Sequence, residues 1–334
     1  MRSSSMRTYA MGYTMSSGAD TKYLTLPRVV AIGGPTCTGK SDLAVILAEG
    51  LGGEIVNGDS MQVYRYFDIG TAKPSATARA RVPHHLLDIV DPDEEFNAAL
   101  FRDAADRAIS DICSRGAVPI IVGGTGLYLR ALFYGLFPAK RDDALRERLG
   151  AEYARDPVAF YERLKAVDPA YALRISFRDR VRAVRAMEVY LLGDRPFSEL
   201  EKEHGFREAR YDICSIGLTA PREELYRRID ERVVDMLSRG LVDEVKGIME
   251  RGYSSGSKPF SSIGYREVLR HLSGSIGYED MVKDIQKNTR HYAKRQFTWF
   301  AKEKDIRWFE YPRDTDRIIE TVSGFAGRWN LRTS

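Results

Sequence analysis

The chain is poor in cysteine. Its 334 residues hold three, Cys37, Cys113 and Cys214, far apart and with no C-x-x-C pair. That spacing argues against a zinc knuckle or a disulfide framework and fits a reducing cytoplasm. No apolar run approaches the ~20 residues that a membrane span needs, so no membrane association is expected. Residues 1–26 lack the apolar segment of a secretory signal. They are rich in Ser, Gly and Met without hydrophobic periodicity, and read as a disordered extension. Arg2, Arg7 and Lys22 against the single acid Asp20 give them a faint likeness to a transit peptide, with no amphipathic helix to support it. Charge of one sign is lacking too: 51 basic residues face 47 acidic ones, a net +4. Any surface for nucleic acid must therefore be local.

What is present is an ordinary globular composition, 43% hydrophobic and 29% charged, with length enough for more than one domain or a large insertion. Its strongest feature is a phosphate loop. Gly34, Gly39, Lys40 and Ser41 fill G-x-x-x-x-G-K-[ST], behind the apolar run 29–32 and ahead of the helical stretch 42–48. Such a loop converges backbone N–H groups on a phosphate, and the next helix adds its positive end. Lys40 would reach the terminal phosphate, and the Ser41 hydroxyl would ligate Mg2+. Read alone, the loop would take a nucleotide such as ATP. Cys37 reads as a small filler within it.

Short apolar runs then alternate with helical stretches, the mark of a parallel α/β sheet. Strand 54–57 leads to Asp59, next in line to the loop. Strand 118–122 leads to Gly123-Gly124-Thr125-Gly126, a second Gly-rich corner beside the loop. Ligand sites in open α/β sheets lie beyond the carboxyl ends of strands. A carboxylate at Asp59 can serve as general base, ligate magnesium or cap a turn. His84-His85 followed by Asp88 and Asp91 reads as structural, because adjacent side chains diverge in extended chain.

From residue 139 to 206 the pattern turns to charged helices: 142–153, 157–167, 168–173 and 179–192. Strands return at 211–218. The expected organisation is the extension 1–26, a catalytic core of 27–138 and 207–334, and an all-helical insertion lobe of 139–206. Arg178, Arg182 and Arg185 fall on one helix face by spacing. A long helix over 279–303 carries Arg290, Lys294 and Arg295 among aromatics, a composition suited to phosphate contact with base stacking.

The motifs add up to a resemblance. Gly34–Ser41 is similar to the loop GPTASGKT, with Cys37-Thr38 in place of Ala-Ser and Ser41 in place of Thr. The segments 59–64 (DSMQVY), 68–74 (DIGTAKP), 83–88 (PHHLLD), 123–129 (GGTGLYL), 179–189 (DRVRAVRAMEV), 263–267 (IGYRE) and 294–300 (KRQFTWF) follow in the order found in tRNA dimethylallyltransferases. The likeness covers about residues 28–303, and DIGTAKP, PHHLLD and KRQ-x-TW are its most specific parts. It implies transfer of a dimethylallyl group from dimethylallyl diphosphate to N6 of the adenosine 3′ of the anticodon, in tRNAs reading codons that begin with U. Diphosphate is the other product.

On that pattern Asp59 is the general base and Thr125 orients the adenosine. Gly34, Pro35, Thr36, Cys37, Thr38, Gly39, Lys40 and Ser41 hold the diphosphate, with Mg2+ at Ser41. Contacts to the tRNA anticodon stem-loop are implied at Asp59, Ser60, Met61, Gln62, Val181, Arg182, Arg185, Gly264, Tyr265, Arg266, Lys294, Arg295 and Gln296, with Arg146 a further one. Arg222, at a helix start after a strand, is a weaker candidate for the diphosphate. A cytoplasmic monomer is expected. The competing readings are a small-molecule P-loop kinase, an adenylate isopentenyltransferase and a non-catalytic RNA-binding protein.

Overall fold

The computed structural model describes residues 26–303 and 305–330. The expected disorder of residues 1–26 falls, apart from Leu26, outside them. From its start the chain runs β1 (Arg28–Gly33), α1 (Lys40–Leu51), β2 (Gly53–Asn57), α2 (Ala76–Arg81), β3 (His84–His85), α3 (Ala98–Ser114), β4 (Val118–Val122) and α4 (Gly126–Tyr134). Helices alone follow: α5 (Asp143–Arg155), α6 (Pro157–Val167), α7 (Pro169–Ala172), α8 (Arg180–Gly193) and α9 (Phe197–His204). The sheet resumes with β5 (Asp212–Thr219). After it come α10 (Arg222–Ser238), α11 (Leu241–Glu250), a 3₁₀ turn at Lys258–Ser261, α12 (Tyr265–Leu272), α13 (Tyr278–Phe300), β6 (Arg307–Glu310) and α14 (Thr315–Asn330). Among the described residues no helix is long and apolar enough to cross a membrane.

All six strands are parallel, in the order β3-β2-β4-β1-β5-β6. Helices cover both faces, so the central strands are apolar on both sides. Val29 and Ala31 point into one apolar cluster, while Val30 and Ile32 point into another, the two-residue alternation of a strand. This is the expected α/β sheet with flanking helices. The order adds a correction. β4 lies between β1 and β2, so the end of β2 at Asp59 is not next to the phosphate loop; the end of β4 is. A sheet order depends on pairing across distant sequence, which the local pattern does not carry.

Helices α5 to α8 pack around a third cluster of their own, with Leu149, Phe160, Leu164 and Met187 among its buried members. Their starts follow from local chemistry. Asp142 accepts the Leu145 N–H, and Asp156, ahead of Pro157, accepts those of Val158 and Ala159. Inside this cluster the fully buried Glu188 carboxylate accepts the Asp142 N–H and hydrogen bonds from Arg146 and Arg185. Burial opposes its ionisation, yet the bonds from Arg185 and Arg146 outweigh burial and hold the carboxyl below its ordinary range.

Three local features escaped the pattern. The six-residue α2 has no apolar period and is started by Ser75 alone, whose hydroxyl accepts the Ala78 N–H. Helix α9 is half charged and is anchored by the buried Asp168, which accepts hydrogen bonds from the N–H and hydroxyl of Ser198. Arg178 precedes α8, so it does not share a helix face with Arg182 and Arg185; its guanidinium lies 5.3 Å from the Phe177 ring centre.

Candidate active site

The loop after β1 is shaped by two glycines in conformations that other residues adopt at a cost. Gly34 has φ 129° and Gly39 φ 84°. A side chain at Gly34 would also strike the Leu218 carbonyl of β5, and one at Gly39 the Tyr311 ring. Within the loop, the Thr38 hydroxyl donates to the Pro35 carbonyl at 2.9 Å, and the Lys40 ammonium donates to the same oxygen at 2.5 Å. Enclosure of that ammonium, and next the positive charge of Arg232, bring Lys40 down from 10.5 to about 8; Asp59 works in the opposite direction.

Two strands away, Asp59 caps the turn that follows β2. Its Oδ1 accepts the N–H of Met61 at 2.8 Å and that of Gln62 at 3.4 Å. Asn57 braces it from behind, accepting the Asp59 N–H and donating to the Asp59 carbonyl. The turn needs only Oδ1, so turn capping and a chemical role for Oδ2 do not compete. Between the two strand ends, the Thr125 hydroxyl oxygen accepts the Ser60 N–H at 3.2 Å. Gln62 donates to the carbonyls of Thr71 and Ala72, tying this corner to DIGTAKP. That segment is pinned in turn by Lys73, whose side chain is 2% exposed and donates to Asp68, Asp88 and the Tyr64 carbonyl. His85 meets Glu54 at 2.6 Å, and His84 sits 2.8 Å from the Val82 carbonyl, so the His pair does diverge.

These ends line one cleft of about 640 Å³, with Lys40, Ser41, Asp59, Gln62 and Gly124 on its walls. Thr125 is not among the lining residues, though its neighbour Gly124 is, and its hydroxyl is paired with Ser60. Other wall residues went unforeseen, among them Arg228, Arg232, Tyr292 and Tyr311. Arg228 and Arg232, one turn apart on α10, line the cleft; Arg232 lies 3.3 Å from the Thr36 hydroxyl and 3.4 Å from the Cys37 sulfur, while Arg228 pairs with Glu224. Arg222, the sequence candidate, instead stacks on Tyr226. A helical wheel of α10 would have shown the Arg228/Arg232 pair, but not which neighbour it meets. Tyr292 on α13 lies beside the side chains of Thr125 and Gln296; burial first, then the Asp59 charge, pushes its hydroxyl up. Tyr311, against Gly39, comes from the turn after β6.

The residues implied for RNA separate into exposed and enclosed groups. Lys294, Arg295, Arg266, Arg182 and Val181 are exposed. Arg146 and Arg185 are half-buried on Glu188. The Tyr265 ring is wholly buried, its hydroxyl donating to Glu244 at 2.5 Å and accepting the Gly70 N–H, so that side chain is core. Gly264 is buried at the start of α12, where its N–H donates to Glu267 at 2.8 Å. Gln296 is 5% exposed and bonded inward.

A family model described as IPP transferase matches residues 62–303. The chain belongs to the IPP transferase family. A second model, described as isopentenyl transferase, matches residues 27–82, the stretch with the phosphate loop and Asp59. This IPP transferase is 50% identical over 303 residues to a tRNA dimethylallyltransferase of Geobacter sulfurreducens, covering 90% of this chain and 97% of the relative. It is 51% identical over 300 residues to one of Geobacter metallireducens, covering 89% and 97%. Among solved structures, a tRNA isopentenylpyrophosphate transferase of Bacillus halodurans superimposes with a TM-score of 0.67 at 36% identity, covering 90% of this chain and 97% of that one. A eukaryotic dimethylallyltransferase acting on tRNA does so with a TM-score of 0.76 at 32% identity, covering 90% and 80%.

Proposed function

We propose that this IPP transferase moves a dimethylallyl group from dimethylallyl diphosphate to N6 of the adenosine 3′ of the anticodon, in tRNAs reading codons that begin with U. The observation that carries the reading is one cleft holding a phosphate loop and the Asp59 carboxylate, on a chain half-identical to relatives named for this transfer. Its volume suits a prenyl diphosphate and one entering base.

In the reaction the bond between the allylic carbon and the diphosphate oxygen breaks as the N6 lone pair forms the new carbon–nitrogen bond. Loop N–H groups, Lys40, Arg228 and Arg232 meet the negative charge gathering on the leaving diphosphate. An exocyclic adenine amine is a poor nucleophile, because its lone pair is drawn into the ring. Asp59 takes the proton it sheds, a role worth about 10²–10⁴-fold. Thr125, held through Ser60 and Tyr292, fixes the adenosine. The base reaches the cleft by leaving its stack, which costs only a few kcal/mol in a single-stranded loop.

Magnesium fits this donor set. No group of three or more His, Cys, Asp and Glu able to hold a metal occurs among the described residues. Magnesium needs none, since one hydroxyl, substrate phosphates and water satisfy it. Ser41 would hold it, and when bound it supplies further neutralisation of the diphosphate.

In this reading 27–138 and 207–334 form the catalytic core, and 139–206 a helical lobe that meets RNA through Arg182 and its neighbours. A monomer is the proposed unit. The test is incubation of labelled dimethylallyl diphosphate with unmodified anticodon stem-loop RNA or with AMP. Label on the RNA supports the reading. Label on AMP alone would replace it with an adenylate isopentenyltransferase.

A further inference from the structure

Gln296 was implied as an RNA contact, yet it is buried, one residue from the exposed Lys294–Arg295 pair on the same helix. Its Oε1 accepts the Thr36 N–H of the phosphate loop at 2.8 Å, and its Nε2 donates to the Gly124 carbonyl of the β4–α4 corner at 2.9 Å. The amide orientation follows from the partners, since a backbone N–H only donates and a carbonyl only accepts. One turn earlier, Tyr292 lies beside both Gln296 and Thr125. Gly124 leaves room for nothing larger, because a Cβ there would stand 2.1 Å from Gln296 Nε2.

We propose that Gln296 is a positioning residue that fixes the spacing between the donor half of the cleft, the phosphate loop, and the acceptor half, the Gly124–Thr125 corner. The proposal deepens the prenyl-transfer reading and rests on it. A glutamine suits the task because one planar group offers an acceptor and a donor at fixed separation. Glutamate has the same shape without the donor, and asparagine is one methylene short. The loop also gains a division of labour. Pro35 has no N–H and the Thr36 N–H is taken by Gln296, so neither position offers an amide to phosphate. Holding the loop this way spares the ordering cost when a diphosphate binds.

The test measures two ligands separately. Inorganic pyrophosphate and an anticodon stem-loop RNA are each titrated into the wild type, Gln296→Ala, Gln296→Glu and Gly124→Ala, with kcat and KM measured for transfer. The expected result is pyrophosphate binding weaker by about tenfold or more in each variant, the scale of one buried bond lost. Turnover falls by about 10²-fold, the cost of a misplacement near 1 Å, while RNA affinity and its salt dependence stay at the wild-type value. Adding Gly124→Ala to Gln296→Ala should cost nothing further, because the side chain it would strike is gone. Lower RNA affinity with unchanged pyrophosphate binding would overturn the proposal and make Gln296 an RNA contact. Unchanged values for both ligands and for turnover would overturn it as well. If the wild type binds pyrophosphate but labels no RNA, the prenyl-transfer reading fails, while the pyrophosphate comparison still decides the bridge.

Discussion

Lys40 ties the loop's chemistry to pH. Its ammonium is brought from 10.5 to about 8 by enclosure and by Arg232. A lysine at about 8 is about nine-tenths charged at pH 7 and about one-tenth charged at pH 9, whereas an ordinary lysine stays more than nine-tenths charged at both. If only the charged form holds a diphosphate well, affinity falls about ninefold across that interval. Bound diphosphate favours the ammonium, so binding above the free pKa takes up a proton. Calorimetric titration of pyrophosphate in buffers of differing ionisation enthalpy reads both effects. Lys40→Met supplies the reference: the ratio of wild-type to variant affinity cancels the ligand's own titration. That ratio should shrink with pH, and a ratio constant from pH 7 to pH 9 would refute the argument. The free protein should behave in the opposite sense. Its unfolded chain binds more protons between about 8 and 10.5, so the Lys40 contribution makes folding more favourable as pH rises through that window.

Three other perturbations separate the roles assigned above. Asp59→Ala should lower turnover by about 10²-fold or more and leave RNA affinity nearly intact by filter binding; unchanged turnover would remove Asp59 as the base. Replacing Lys294 and Arg295 together by Ala should weaken stem-loop binding and reduce the slope of log affinity against log salt by about 2, with pyrophosphate binding untouched. An unchanged slope would count against that helix as the RNA surface. Lys73→Met strips the buried partner from Asp68 and Asp88. Its cost in urea unfolding should be about 2 kcal/mol, below the ~3–5 of a fully buried pair, because both carboxylates are partly exposed and Arg79 still holds Asp88.

Much of the fold was legible because local signals agreed with it. The loop glycines, the apolar strands and the Asp156-Pro157 helix start each state their geometry within a few residues. Sheet order was not legible, since nothing near β4 says that it pairs between β1 and β2. That Asp59 and the loop share one cleft was legible because strand ends in such sheets converge. Arg228, Arg232, Tyr292 and Tyr311 were not, because they reach the cleft from helices and a turn far along the chain. Tyr265 and Gln296 show the reverse limit. Motif position marked them as important, and burial then showed that both side chains point inward, to Glu244 and to the loop.

The central claim is that this cleft joins a dimethylallyl group to RNA adenosine. Mass spectrometry of an unmodified anticodon stem-loop, after incubation with the protein, dimethylallyl diphosphate and magnesium, tests it most directly. One added dimethylallyl unit is expected on the adenosine 3′ of the anticodon, with diphosphate released in equal amount. RNA of unchanged mass, bound by a protein that also binds pyrophosphate, would contradict it.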